Sequence, residues 1–80
     1  MKEALDIEVH GIVQGVGFRP FIYKIARRHL INGWVLNATA GVFIHAEGES
    51  KDIDDFVREI SDNAPAASRV DEILMKEVPL

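Results

Sequence analysis

Within residues 13–20, Val13-Gln14-Gly15-Val16-Gly17-Phe18-Arg19-Pro20, the spacing of apolar residues switches from a strand period to a helix period. Upstream, Leu5, Ile7, Val9, Gly11 and Val13 share one parity, and Asp6, Glu8 and His10 share the other. This predicts a strand over 4–13 with one wet face. Downstream, Phe18, Phe21, Ile22, Ile25 and Ala26 recur at helical spacing, and Lys24, Arg27 and Arg28 face away. Pro20 suits a first helical turn, where its missing N–H costs nothing. The chain must therefore pass from strand to helix through one tight connection that holds two glycines.

The remaining elements follow from the same patterns. Arg27 and Arg28 read as a solvated helix end, and Asn32-Gly33 as the stop signal. Residues 34–38 and 42–47 read as strands. Thr39-Ala40-Gly41 joins them as a hairpin in which Gly41 is expected at positive φ. Ser50 is expected to cap a second helix, with Asp52, Asp54 and Asp55 in its first turn and Ile53, Phe56, Val57 and Ile60 as its buried stripe. Asn63-Ala64-Pro65 ends it. Residues 69–78 form a last strand of imperfect parity: Val70, Leu74 and Val78 share one face, Ile73 and Met75 the other. A bulge or a strand covered on both faces accounts for this.

The order β-α-β-β-α-β predicts an α+β, ferredoxin-like sandwich. Its antiparallel sheet has strand order 4-1-3-2, with both helices on one face. The first two strands then run parallel with the third between them. Their C-terminal ends share one rim, about 9–10 Å apart. The 14–18 loop and Arg19 fall at the same rim as Asn37. Eighty residues make one domain, 1–80.

The glycine connection reads as an anion site. Paired glycines let backbone N–H groups turn inward around a small anion. Arg19 at a helix start is disfavoured by roughly 0.3–1 kcal/mol unless an anion compensates. The formal net charge of −4 argues against a nucleic-acid surface, so any anion site is local. Trp34 and Phe43 suggest base stacking, but no basic stripe accompanies them. There is no cysteine, the first ten residues carry no apolar leader core, and no stretch is long enough to span a membrane. A cytoplasmic protein without metal or cofactor is expected. His10 and His45 fall on polar parities and read as solvated strand residues rather than metal ligands. Asn37-Ala38-Thr39 matches a glycosylation sequon, which the missing leader makes irrelevant. Asn37 either bonds its own turn or serves the rim; the residues alone leave both readings open.

Val13-Gln14-Gly15-Val16 with Phe18-Arg19, then Gly33-Trp34-Val35, Asn37 and Gly41-Val42, resembles the acylphosphatase family over almost the whole chain. The resemblance implies metal-independent hydrolysis of carboxyl-phosphate mixed anhydrides. It makes Arg19 the phosphate-binding arginine and Asn37 the residue that orients the attacking water. The loop Gln14, Gly15, Val16, Gly17, Phe18 and Arg19 would hold the phosphate. More narrowly, Gly17 and Pro20-Phe21, with Ile22-Tyr23 after them, are similar to the N-terminal domain of HypF-type carbamoyltransferases, as is the stretch from Ala64-Pro65 through Arg69-Val70-Asp71. Those proteins mature nickel–iron hydrogenases. The likeness implies carbamoyl phosphate as substrate, inorganic phosphate as product, and downstream domains of a longer parent chain as partners. Two alternatives are a stand-alone acylphosphatase and a non-catalytic anion-binding module. His29-Leu30-Ile31-Asn32 departs from the family's usual helix end, and the chain stops at Leu80, where relatives continue into a short fifth strand.

Overall fold

The computed structural model describes all of residues 1–80. Its elements are β1 (Lys2–Ile12), α1 (Phe18–Arg28), β2 (Asn32–Ala38), β3 (Gly41–Glu49), α2 (Ser50–Asp62) and β4 (Arg69–Val78). The sheet order is β2-β3-β1-β4, and every neighbouring pair is antiparallel. This is the expected 4-1-3-2 order.

The register fixes the two faces. Val42, Ile44 and Ala46 of β3 stand opposite Val9, Ile7 and Leu5 of β1. Phe18, Ile22 and Ile25 from α1 and Phe56 and Ile60 from α2 join these strand residues in one buried cluster. Both helices therefore cover the same face. Burying each such side chain contributes roughly 1.5–3 kcal/mol. On the open face, Trp34 stacks on Phe43 and on His45, with centroids 5.4 and 5.5 Å apart.

The irregular parity of the last strand has the cause anticipated. Along β1 the partner of His10 is Glu72 and the partner of Gly11 is Val70. Asp71 is the extra residue of a bulge. It turns Val70 to the same face as Ile73, and both pack against the core.

Several local expectations need correction. α1 stops at Arg28, well before Asn32-Gly33. Leu30 takes the left-handed position at φ 59°, Ile31 N–H bonds Ala26 C=O at 2.8 Å, and Leu30 N–H bonds Arg27 C=O at 3.3 Å. That is a Schellman ending with leucine where glycine is usual, and it turns Ile31 back onto the core. Gly33 lies inside β2 instead. A β-carbon there would sit 1.8 Å from the His45 carbonyl oxygen, so the strands pair only if the residue is glycine. In the hairpin the left-handed residue is Ala40 at φ 61°, not Gly41. Gly41 is required because a β-carbon would sit 2.1 Å from the Val9 carbonyl oxygen.

Ser50 does not cap α2. Its N–H and hydroxyl both donate to the Met1 carbonyl, each at 2.9 Å, and tie the helix start to the chain's first residue. Arg28 is not simply solvated either. It pairs with Glu59 of α2, whose side chain is only 10% exposed. Glu59 also accepts from His29 Nε2 at 2.7 Å and Asn63 Nδ2 at 2.9 Å. A buried carboxylate with three donors joins the two helices, and those hydrogen bonds outweigh the desolvation of its charge.

Candidate active site

The connection between β1 and α1 is anchored at both ends. Val13 and Phe18 are buried in the core cluster and Val16 packs against it, while Gln14, Gly15, Gly17 and Arg19 are exposed. Anchoring alternate residues forces the backbone between them to curl. Gly15 and Gly17 absorb the curl at φ 73° and 82°. Gly17 is also the N-cap of α1, and no side chain caps this helix. Its first internal bond runs from Phe21 N–H to Gly17 C=O at 3.2 Å.

The N–H groups of Gly15, Val16, Gly17, Phe18 and Arg19 consequently donate to no group in the chain. Pro20 has no N–H to add. These donors lie at the positive end of the helix dipole, where an anion is favoured. The first turn holds no acidic residue. The Arg19 guanidinium is free of any ion pair within the chain. From Gln14 to Tyr23 the only charged side chain is Arg19, so the loop and the first turn of α1 hold no carboxylate in a chain of net charge −4.

Asn37 lies near the end of β2, opposite Val42, on the parity that faces the helices. It is exposed and bonds neither its own turn nor any other group, so its amide is available at the rim. The loop and this strand end are joined physically. The Gln14 side-chain amide donates to the carbonyls of Ala38 and Gly41, both at 2.7 Å. The structure thus brings the 14–19 loop to the residue that follows Asn37, as the strand order requires. The role of the Gln14 side chain was not legible beforehand, because its acceptors are backbone atoms of a turn remote in sequence.

The two histidines are not neighbours. His10 Nε2 lies 3.2 Å from Glu8, while His45 places Nδ1 2.7 Å from Asp6 and Nε2 2.9 Å from Glu47. Asp6 first and Glu47 second hold the His45 pKa above its ordinary value. This ion-paired imidazole is far from a merely solvated one. A cleft of about 170 Å³ between α1 and β2 is lined by residues such as Tyr23, Arg27, Ile31 and Trp34 and shares none with the loop or Asn37.

A two-helix, four-strand antiparallel sandwich with a glycine loop and an arginine at its helix start is the arrangement that the acylphosphatase resemblance implied. The acylphosphatase family model matches residues 5–80, and the chain belongs to that family. It is 43% identical over 79 residues to an acylphosphatase from Leuconostoc mesenteroides, covering 98% of this chain and 88% of that protein. It is 41% identical over 78 residues to the probable carbamoyltransferase HypF of Methanocaldococcus jannaschii, covering 98% of this chain and 10% of that one. The crystal structure of a full-length HypF in its phosphate- and nucleotide-bound form superposes with a TM-score of 0.96 at 48% identity, covering all of this chain and 11% of that one. The chain thus spans about a tenth of the HypF relatives it matches. No helix is long and apolar enough to cross a membrane.

Proposed function

We propose that this domain hydrolyses carboxyl phosphates, and that its physiological substrate is carbamoyl phosphate within a cytoplasmic HypF-type carbamoyltransferase. The observation that carries the hydrolase reading is the run of unpartnered N–H groups from Gly15 to Arg19 beside an unpaired guanidinium. The narrower reading is supported by the Gly17 and Pro20-Phe21 pattern together with the HypF likeness. The Leuconostoc likeness favours a stand-alone acylphosphatase as the second reading.

In the proposed reaction the loop amides and Arg19 bind the phosphate oxygens and neutralise charge that grows toward the transition state. The Asn37 amide orients a water in line with the acyl oxygen. A bond forms from water oxygen to phosphorus, and the bond from phosphorus to the acyl oxygen breaks. The water proton passes to a phosphate oxygen, and the carboxylate leaves as a weak base that needs no acid. Carbamoyl phosphate gives carbamate and inorganic phosphate.

The two roles separate experimentally. Asn37→Ala should lower kcat by about 10²-fold while the inhibition constant of inorganic phosphate changes little. Arg19→Ala should remove phosphate binding and turnover together. If phosphate affinity falls in step with kcat in Asn37→Ala, Asn37 binds rather than orients. Comparing kcat/KM for carbamoyl phosphate and benzoyl phosphate tests the substrate: a preference for the bulkier acyl group contradicts the carbamoyl assignment.

A further inference from the structure

We propose that Gln14 is a positioning residue whose side-chain amide sets the distance between the anion loop and Asn37, and so acts on turnover through Asn37. This rests on the acyl-phosphate reading above. The loop follows β1, Asn37 is the penultimate residue of β2, and β3 lies between those strands. No ladder hydrogen bond therefore links the two halves of the site directly. The Gln14 amide supplies that link. Its two N–H bonds are both used, one on Ala38 C=O and one on Gly41 C=O, each at 2.7 Å. Ala38 and Gly41 are the closing pair of the hairpin, and Ala38 is bonded to Asn37.

The backbone of Gln14 leads directly into the amides that hold the anion. One residue thus holds the loop at one end and the strand that carries Asn37 at the other. Ala40, inside the clamped turn, is left-handed at φ 61°, a conformation alanine adopts reluctantly. Without the clamp the turn is free to relax and carry Asn37 with it. Glutamine is specifically suited: asparagine is one methylene shorter, and a glutamate carboxylate has no N–H to offer two carbonyl oxygens.

The test is a double-mutant cycle on acyl-phosphate hydrolysis with wild type, Gln14→Ala, Asn37→Ala and the double variant. Gln14→Ala should lose about tenfold to a hundredfold in kcat, with the inhibition constant of inorganic phosphate nearly unchanged. Gln14→Glu should lose more than Gln14→Ala. Once Asn37 is alanine, removing Gln14 should cost less than about threefold further, because the group it positions is gone. Unchanged kcat in Gln14→Ala, or losses that multiply in the double variant, would overturn the proposal. So would a loss of phosphate affinity in step with kcat. A wild-type protein that binds phosphate but turns over no acyl phosphate defeats the hydrolase reading instead. The Asn37 side-chain NH₂ resonances then decide on Gln14: they must shift or broaden in Gln14→Ala, and unchanged resonances reject the clamp.

Discussion

Two alanine substitutions at positive-φ glycines should differ severalfold in cost, for reasons visible in the backbone. At Gly17, φ is 82° and a β-carbon would meet nothing within 4 Å. Alanine there bears only the left-handed penalty, roughly 1–2 kcal/mol. A less flexible unfolded chain offsets this by roughly 0.4–1 kcal/mol. The net is about 1 kcal/mol, which in a domain this small lowers Tm by roughly 4–8 °C. At Gly33, φ is 144° and a β-carbon would lie 1.8 Å from the His45 carbonyl oxygen and 2.8 Å from its carbon. Neither obstacle is a side-chain end that can swing aside. A glycine-only conformation adds roughly 1–3 kcal/mol, and parting β2 from β3 gives up ladder bonds at about 1 kcal/mol each. Gly33→Ala should cost about 3 kcal/mol or more, lowering Tm by more than about 12 °C. Far-UV circular dichroism during thermal and urea unfolding measures both. Function should split the other way: Gly17→Ala weakens phosphate inhibition by intruding on the anion loop, whereas any folded Gly33→Ala leaves it intact. A Gly33→Ala protein that unfolds within about 1 kcal/mol of wild type, or a Gly17→Ala change that costs more, would overturn this ranking.

Further outcomes follow from the charged groups. Arg19→Lys should recover little of the activity lost in Arg19→Ala, since an ammonium cannot reproduce the planar fork; near-normal kcat/KM in the lysine variant removes the guanidinium from the mechanism. His29, Asn63 and Arg28 hold the Glu59 pKa below its ordinary value of 4.5. Its stabilisation is full above that value and is lost as pH falls through the lowered pKa. Glu59→Gln should flatten the acid limb of a urea-midpoint profile, and an unchanged slope rejects the clamp between the helices. His45 is shifted the other way, so its contribution is full below its ordinary 6.5 and fades as pH rises through the raised value. His45→Gln should flatten the alkaline limb.

The fold was legible because each element buries one face, and burial leaves a period in the sequence. Strand order then placed the loop and Asn37 on one rim without any structural input. Even the bulge at Asp71 was foreshadowed by the broken parity of Val70 and Ile73. Features that depend on register or on unrelated elements left no such trace. The His45 link to Asp6 requires knowing which residues of β1 and β3 face each other. The Arg28–Glu59 contact joins helices whose relative rotation no local pattern encodes. Leu30 carries no turn signature, because the Ile31 anchor rather than leucine's own preference imposes its conformation. Gln14 donates to carbonyls, which every residue has, so nothing in the sequence marks Ala38 and Gly41 as its partners.

If Arg19 and the loop amides alone meet the phosphate charge of an activated acyl phosphate, turnover needs no metal. The 14–19 loop and the first turn of α1 contain no carboxylate, the ligand a magnesium-dependent phosphoryl site draws on. The direct measurement is hydrolysis of carbamoyl phosphate and of a simple phosphate monoester, each with and without EDTA, across a series of inorganic phosphate concentrations. Acyl-phosphate turnover should be unchanged by EDTA, inorganic phosphate should inhibit competitively, and the monoester, whose alkoxide leaving group needs an acid, should not be attacked. Folded protein that requires added metal, or that cleaves the monoester as readily as the acyl phosphate, would overturn this assignment of roles to Arg19 and the loop.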